Sequence, residues 1–376
     1  MVTLVVCSGA GYYANKASLT WSTQVPKKHS DHEILALRVF GYFLWCLGGL
    51  FFLTVIGLRK RILLAIGIIK QSSKALSSMP LLTLLPVFQC AAIVLFVLIW
   101  MIYAANLASL GEFVPVKMEM NNITITFRSY QYDDPLQYAA WYLLFCFFWT
   151  TQFILALGEI IAAMSVAKWY FSRDRSGIGN WTVIQCFCQS LLYHAGTAAF
   201  GSLIIAVVET ISAFLAYLQR RINMMGSQGA TASKVAEVIL CCLQCMMCCL
   251  ENFLKYMNKN AYIHVAIFGS NLCCSAREAF FLILRNAARV GALTILCGVV
   301  AFIGKFFIAL VTGGISYVIL DQYVPLELTN PAGPAILITI VAYFIGSSFM
   351  SILSMAVNTM LHCYVVDKEV RRMLAS

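Results

Sequence analysis

The residues of this sequence with most scope for chemistry are the few ionisable side chains set inside long apolar runs. Lys305 stands in the middle of GVVAFIGKFFIALV. A lone ammonium costs about 2.5 to 3.5 kcal/mol at the centre of a bilayer, so such a lysine is a functional candidate and needs a partner. Glu159 and Glu209 are the acids embedded in other apolar runs, and either could pair with Lys305 inside a helix bundle. A purely structural pair that fixes helix register accounts for the same residues equally well. Tyr193 and His194 open a further run as YHAG. An imidazole titrates near physiological pH and could carry a proton, although a lone histidine at an interface is more often a hydrogen-bonded structural residue.

Trp45, Trp100, Tyr103, Trp141, Tyr142 and Trp149 lie within or beside apolar runs. Aromatic faces attract organic cations, quaternary ammonium included, but tryptophan and tyrosine also gather at membrane interfaces as anchors. Trp149, deeper in its run and near Gln152 and Glu159, suits ligand contact better than the others. Cys241, Cys242, Cys245, Cys248 and Cys249 recur at helical spacing, whereas a zinc knuckle binds from a turn, so packing or lipidation is expected there and no metal or cofactor. No Walker loop, GxSxG elbow, HExxH or paired catalytic carboxylate occurs in a polar stretch, which argues against an enzyme.

Membrane helices must position these residues. Of 376 residues, 61% are apolar and 11% charged, too few charges to build a water-facing surface of ordinary size. The net charge of +10 comes from short Lys and Arg clusters beside apolar runs, a topology signal and not a nucleic-acid surface. The fifteen cysteines avoid the polar loops after Leu110 and Leu320, which suits free thiols better than a disulfide framework.

The expected fold class is all-α, a polytopic helical membrane protein. It has about seven complete transmembrane helices, a partial first one over residues 1–14, and interfacial amphipathic helices. A single domain runs from 34 to 366, with spans at 34–58, 81–110, 137–166, 193–218, 291–320 and 335–366. One of the stretches 235–257 and 261–290 also crosses, and periodicity does not say which. Residues 62–79 suit a helix lying in the interface, with Lys70 and Lys74 on one side. Arg59, Lys60 and Arg61 place the far end of the first full span in the cytoplasm. The loop after Leu110, with its Asn122-Ile123-Thr124 glycosylation sequon, is then outside, and the tail 367–376 is cytoplasmic. Arg220 and Arg221 face outside on this scheme, against the positive-inside rule.

YHAGTAAFGSLIIAVVE and CCLQCMMCCLENFLKYMNKNAYIHVAIFGSNLCCSAREAFFLILRN resemble the choline transporter-like family, solute carrier family 44. RKRILLAIGIIKQSSKA and WTTQFILAL resemble it in the first half. The resemblance covers roughly residues 34–366 and is most specific over 193–286. It implies a multi-pass plasma-membrane carrier of choline or a related amine such as ethanolamine, working by alternating access. Trp149, Gln152, Glu159, Tyr193, His194, Glu209 and Lys305 are the candidate substrate-binding residues within it. Against the family pattern the chain starts abruptly, as a truncated or divergent member would, and Glu209 stands where glutamine is expected. The alternative is a structural or regulatory membrane protein that uses the same helices without transport.

Overall fold

The computed structural model describes residues 2–23, 31–57, 59–120, 123–131, 133–175, 177–225, 232–322 and 332–375. In chain order the elements are α1 (Val2–Thr23), α2 (Asp31–Gly57), α3 (Arg59–Ser78), α4 (Pro80–Thr83), α5 (Leu85–Ser109), β1 (Glu112–Met120) and β2 (Ile123–Gln131). They continue with α6 (Asp134–Phe171), α7 (Asn180–Tyr193), α8 (Ala195–Met225), α9 (Ala232–Phe268), α10 (Leu272–Arg285), α11 (Ala287–Gln322) and α12 (Ala332–Ala375).

Six stretches among the described residues are long and apolar enough to cross a membrane. They are Leu85–Ser109, Asp134–Phe171, Ala195–Asn223, Glu237–Phe268, Ala287–Gln322 and Ala332–Arg371, and α2 adds a shorter apolar stretch, Ile34–Cys46. The protein is therefore a multi-pass helical membrane protein. The ambiguous region 235–290 becomes one helix of crossing length, α9, and a 14-residue helix, α10. Residues 367–375 continue α12, and α1 runs on past residue 14 to Thr23.

By its contacts the chain divides into two compact units, Met1–Gly67 with Gly291–Leu296, and Ile68–Val290 with Cys297–Ser376. In the first, α1 meets α2 at glycine. A Cβ on Gly41 would stand 2.6 Å from the Asn15 amide, so the helices approach more closely there than a side chain permits.

In the second unit α6 is the hub, in contact with α5, α7, α8, α9 and α12. Its second half can take so many neighbours because Ala156, Gly158, Ala162, Ala163 and Ala167 are small and buried. The chain enters α6 through Asp134 and Pro135, an acid and an imino acid that the first helical turn favours. Among the described cysteines all are free, and the α9 group is exposed.

The buried side of α3 is built from Ala65, Ile68, Ser72 and Ala75, while Lys70 and Lys74 are exposed. This is the amphipathic pattern anticipated for residues 62–79. The polar loop after Leu110 contains an antiparallel hairpin, registered from Glu112 opposite Gln131 to Met120 opposite Ile123. Alternation in ITITF is its local cause, since period-2 β-branched residues favour a strand. Asn122, the sequon asparagine, lies outside the described residues.

Candidate functional site

A cavity of about 270 Å³ opens in the second unit where α5, α6, α8, α9 and α12 converge. Ligand cavities commonly span about 300–1,000 Å³, so this one suits a small solute. Two helices supply most of its polar wall. From α6 come Gln152 and Glu159, seven residues and thus two turns apart on one face. From α9 come Lys255, Asn258 and Tyr262, spaced by three and four residues.

One carboxylate fixes both walls. Gln152 Nε2 donates to Glu209 Oε1 at 2.6 Å, and Lys255 Nζ reaches the same oxygen at 2.8 Å. Lys255 also bonds Glu251 Oε1, one turn back on α9, at 2.7 Å. Glu209 sits behind the lining, its side chain 13% exposed. With hydrogen bonds to two partners, its charge is one that a bundle interior can hold.

Glu159 is set differently. It lines the cavity, and among the described residues it makes no hydrogen bond or ion pair. Lys259 acts on it only through space, as a charge not in contact. Tyr262 is 1% exposed and its hydroxyl has no hydrogen-bond partner. The wall therefore offers a carboxylate with unused acceptor capacity beside an aromatic ring, a pairing that favours a small organic cation.

Backbone economy brings these groups together. Asn258 Nδ2 donates to the Gly201 carbonyl at 2.8 Å, and a Cβ at Gly201 would collide with the Tyr262 hydroxyl. Gly158 does the same service between α5 and α6, because a Cβ there would collide with the Gln89 amide. That amide donates to the Ile154 carbonyl at 3.2 Å.

Of the residues picked out from sequence, Gln152, Glu159 and Glu209 come together. Trp149 does not line the cavity. Its indole N–H donates to the Ala199 carbonyl at 3.1 Å, which ties α6 to α8. Tyr193 ends α7 and is 77% exposed. His194 joins α7 to α8, and partial burial lowers its pKa from the ordinary value, so it is neutral at physiological pH.

The expected pairing of Lys305 with Glu159 or Glu209 is not found. Lys305 lies on α11, and among the described residues it makes no ion pair. Lys255 takes Glu209 instead, because α9 packs directly against α8 and α6. The α9 wall and Gln89 were missed from sequence. The available signal was Glu251, Lys255, Asn258 and Tyr262 recurring at three- and four-residue spacing on one face of α9.

The chain is thus a multi-pass helical membrane protein whose second unit encloses a small polar cavity. The sequence profile described as "Plasma-membrane choline transporter" matches residues 42–369, and the chain belongs to that family. It is 34% identical over 339 residues to "Choline transporter-like protein 2" of Dictyostelium discoideum, covering 90% of this chain and 52% of that protein. It is 32% identical over 353 residues to "Choline transporter-like protein 5-A" of Danio rerio, covering 84% and 49%. "Choline transporter-like 2" of Anopheles gambiae is 38% identical over 224 residues, 59% of this chain and 28% of that protein. The chain spans about half the length of the first two of these relatives.

Proposed function

We propose that the protein carries choline or a related small amine such as ethanolamine across the membrane by alternating access, with the α5–α6–α8–α9–α12 cavity as its substrate site. The observation that carries this reading is Glu159, an acid facing a small interior cavity with no partner in contact. An unsatisfied carboxylate in a membrane interior is costly, and a cationic solute supplies the charge it lacks. Tyr262 provides the aromatic face, Gln152 a polar contact, and Glu209 with Lys255 holds the two walls in register. The names of the relatives support the substrate class.

The test is uptake of labelled choline by liposomes containing the purified full chain. Saturable uptake suppressed by unlabelled choline or ethanolamine, and reduced at least tenfold by Glu159→Gln, is the expected result. Absence of uptake from folded protein would instead assign the chain a structural or regulatory role. The basic cluster Arg59, Lys60 and Arg61 supports a plasma-membrane orientation with the carboxyl terminus cytoplasmic. A carboxyl-terminal epitope reached by antibody only after cell permeabilisation is the matching expectation.

A further inference from the structure

A second cavity, about 590 Å³, lies apart from the first, between α9, α10 and α12. Its wall carries two cations, Arg277 and Arg285, and two acids, Glu278 and Glu369. Among the described residues neither arginine makes a hydrogen bond or ion pair, and Glu369 has no partner either. His264 lines the same cavity and is only 5% exposed. Its Nδ1 has no hydrogen-bond partner, with Glu278 Oε2 at 3.6 Å on the side of the cavity wall. The Phe268 ring is 4.6 Å from the imidazole and holds it in place.

The setting is that of a membrane interface. The candidate membrane-crossing stretches of α9 and α12 run on to Phe268 and Arg371, so the cavity lies at the ends of both. The helix between them, α10, buries Leu272, Ser275 and Ala279 on one face. It exposes Phe280, Phe281 and Leu284 next to its arginines. Exposed apolar rings beside unpaired arginines on a short amphipathic helix are the pattern of a helix at the headgroup boundary.

We propose that this cavity holds the headgroup of a zwitterionic membrane phospholipid. The phosphodiester lies against Arg277, Arg285 and His264, and the ammonium against Glu278 and Glu369. The equal count of arginines and acids selects for a ligand bearing both charges. A purely anionic headgroup would bring its phosphate to two carboxylates with nothing to neutralise them. The open apolar rim formed by Phe268, Phe281 and Val370 is where the acyl chains leave, and it favours a lipid over the free headgroup.

The test is native mass spectrometry of the purified full chain in detergent, titrated separately with phosphatidylethanolamine, phosphatidylcholine, phosphatidylglycerol and soluble glycerophosphocholine. The expected result is zwitterionic-lipid adducts that survive excess glycerophosphocholine, exceed those of phosphatidylglycerol, and fall at least fivefold in R277Q/R285Q. R277K/R285K should recover part of the binding. R285Q alone, at the exposed end of α10, should lose at least twofold and covers the case in which the double variant fails to fold. Equal adducts in wild type and R285Q, stronger binding of phosphatidylglycerol, or displacement of lipid by glycerophosphocholine would each overturn the proposal.

Discussion

Helices α9 and α11 are nearly equal in length, 37 and 36 residues, and both can cross a membrane; α11 carries one lysine, Lys305, and α9 carries three, of which Lys255 lines the cavity. Lys255 and Lys305 have opposite surroundings. On α9, Lys255 belongs to a stripe with Glu251, Asn258 and Tyr262 that turns toward α6 and α8. On α11, Lys305 is flanked by Phe302, Phe306 and Phe307, which are 59%, 41% and 67% exposed. This helix meets α12 at small residues, Gly304 against Met350 and Gly313 against Thr339. A charge inside an apolar run is thus informative mainly when its own helix face presents further polar groups. An isolated charge shows only that its helix bears one.

The largest effect should come from exchanging the two settings in a transport assay. Glu159→Gln should reduce choline uptake at least tenfold, with its melting temperature in detergent close to wild type. Lys305→Met should change uptake less than twofold. The reverse outcome would break the comparison and return the functional role to α11.

Next in size is the carboxylate shared by Gln152 and Lys255. Glu209→Gln leaves Lys255 with Glu251 alone and should destabilise the bundle by about 1–2 kcal/mol, the scale of a lost hydrogen bond to a charged group. Lys255→Met in the Glu209→Gln background should then cost less than it does in wild type, because the pair acts as one unit. Thermal unfolding of the four proteins in one detergent measures the coupling. Additive effects would mean that the 2.8 Å contact carries no weight.

The spans were legible because a bilayer demands about 20 consecutive apolar residues and leaves little choice of structure. Gln152, Glu159 and Glu209 were visible as polar exceptions within such runs. Their partners were not, since Gln152, Glu209 and Lys255 come from three helices and meet only through packing. α9 drew attention for its cysteines, and the polar stripe on its other positions went unread. Trp149 misled for a local reason: an indole N–H in lipid needs an acceptor, and the Ala199 carbonyl lies within reach. The hairpin was readable from ITITF but was taken as loop.

A smaller effect tests the close approach that builds the α9 wall. Gly201→Ala puts a methyl group against the Tyr262 hydroxyl and should cost about 1–3 kcal/mol as overpacking. Tyr262→Phe removes a buried hydroxyl that has no partner, so alone it should be near neutral for stability. In the Gly201→Ala background it should relieve part of the loss. No relief would mean that the contact with the ring carbons, 2.9 Å to Cζ, sets the cost.

The smallest effect concerns His194, which lies just before the candidate membrane-crossing stretch that starts at Ala195. Burial lowers its folded pKa below the unfolded value, so as pH falls the unfolded chain takes up the proton first. Its contribution to stability is full above an unfolded pKa of about 6.5 and is lost between there and the lower folded value. The melting temperature should therefore fall between pH 7.5 and 5.5, and His194→Gln should flatten part of that fall. Uptake at pH 7.5 should be unchanged in this variant, because the imidazole is already neutral and lines no part of the cavity. If His194→Gln instead removed a pH dependence of uptake itself, a proton would be moving with the substrate at the α7–α8 junction. The polar cavity would then be only one of two places where this bundle handles charge.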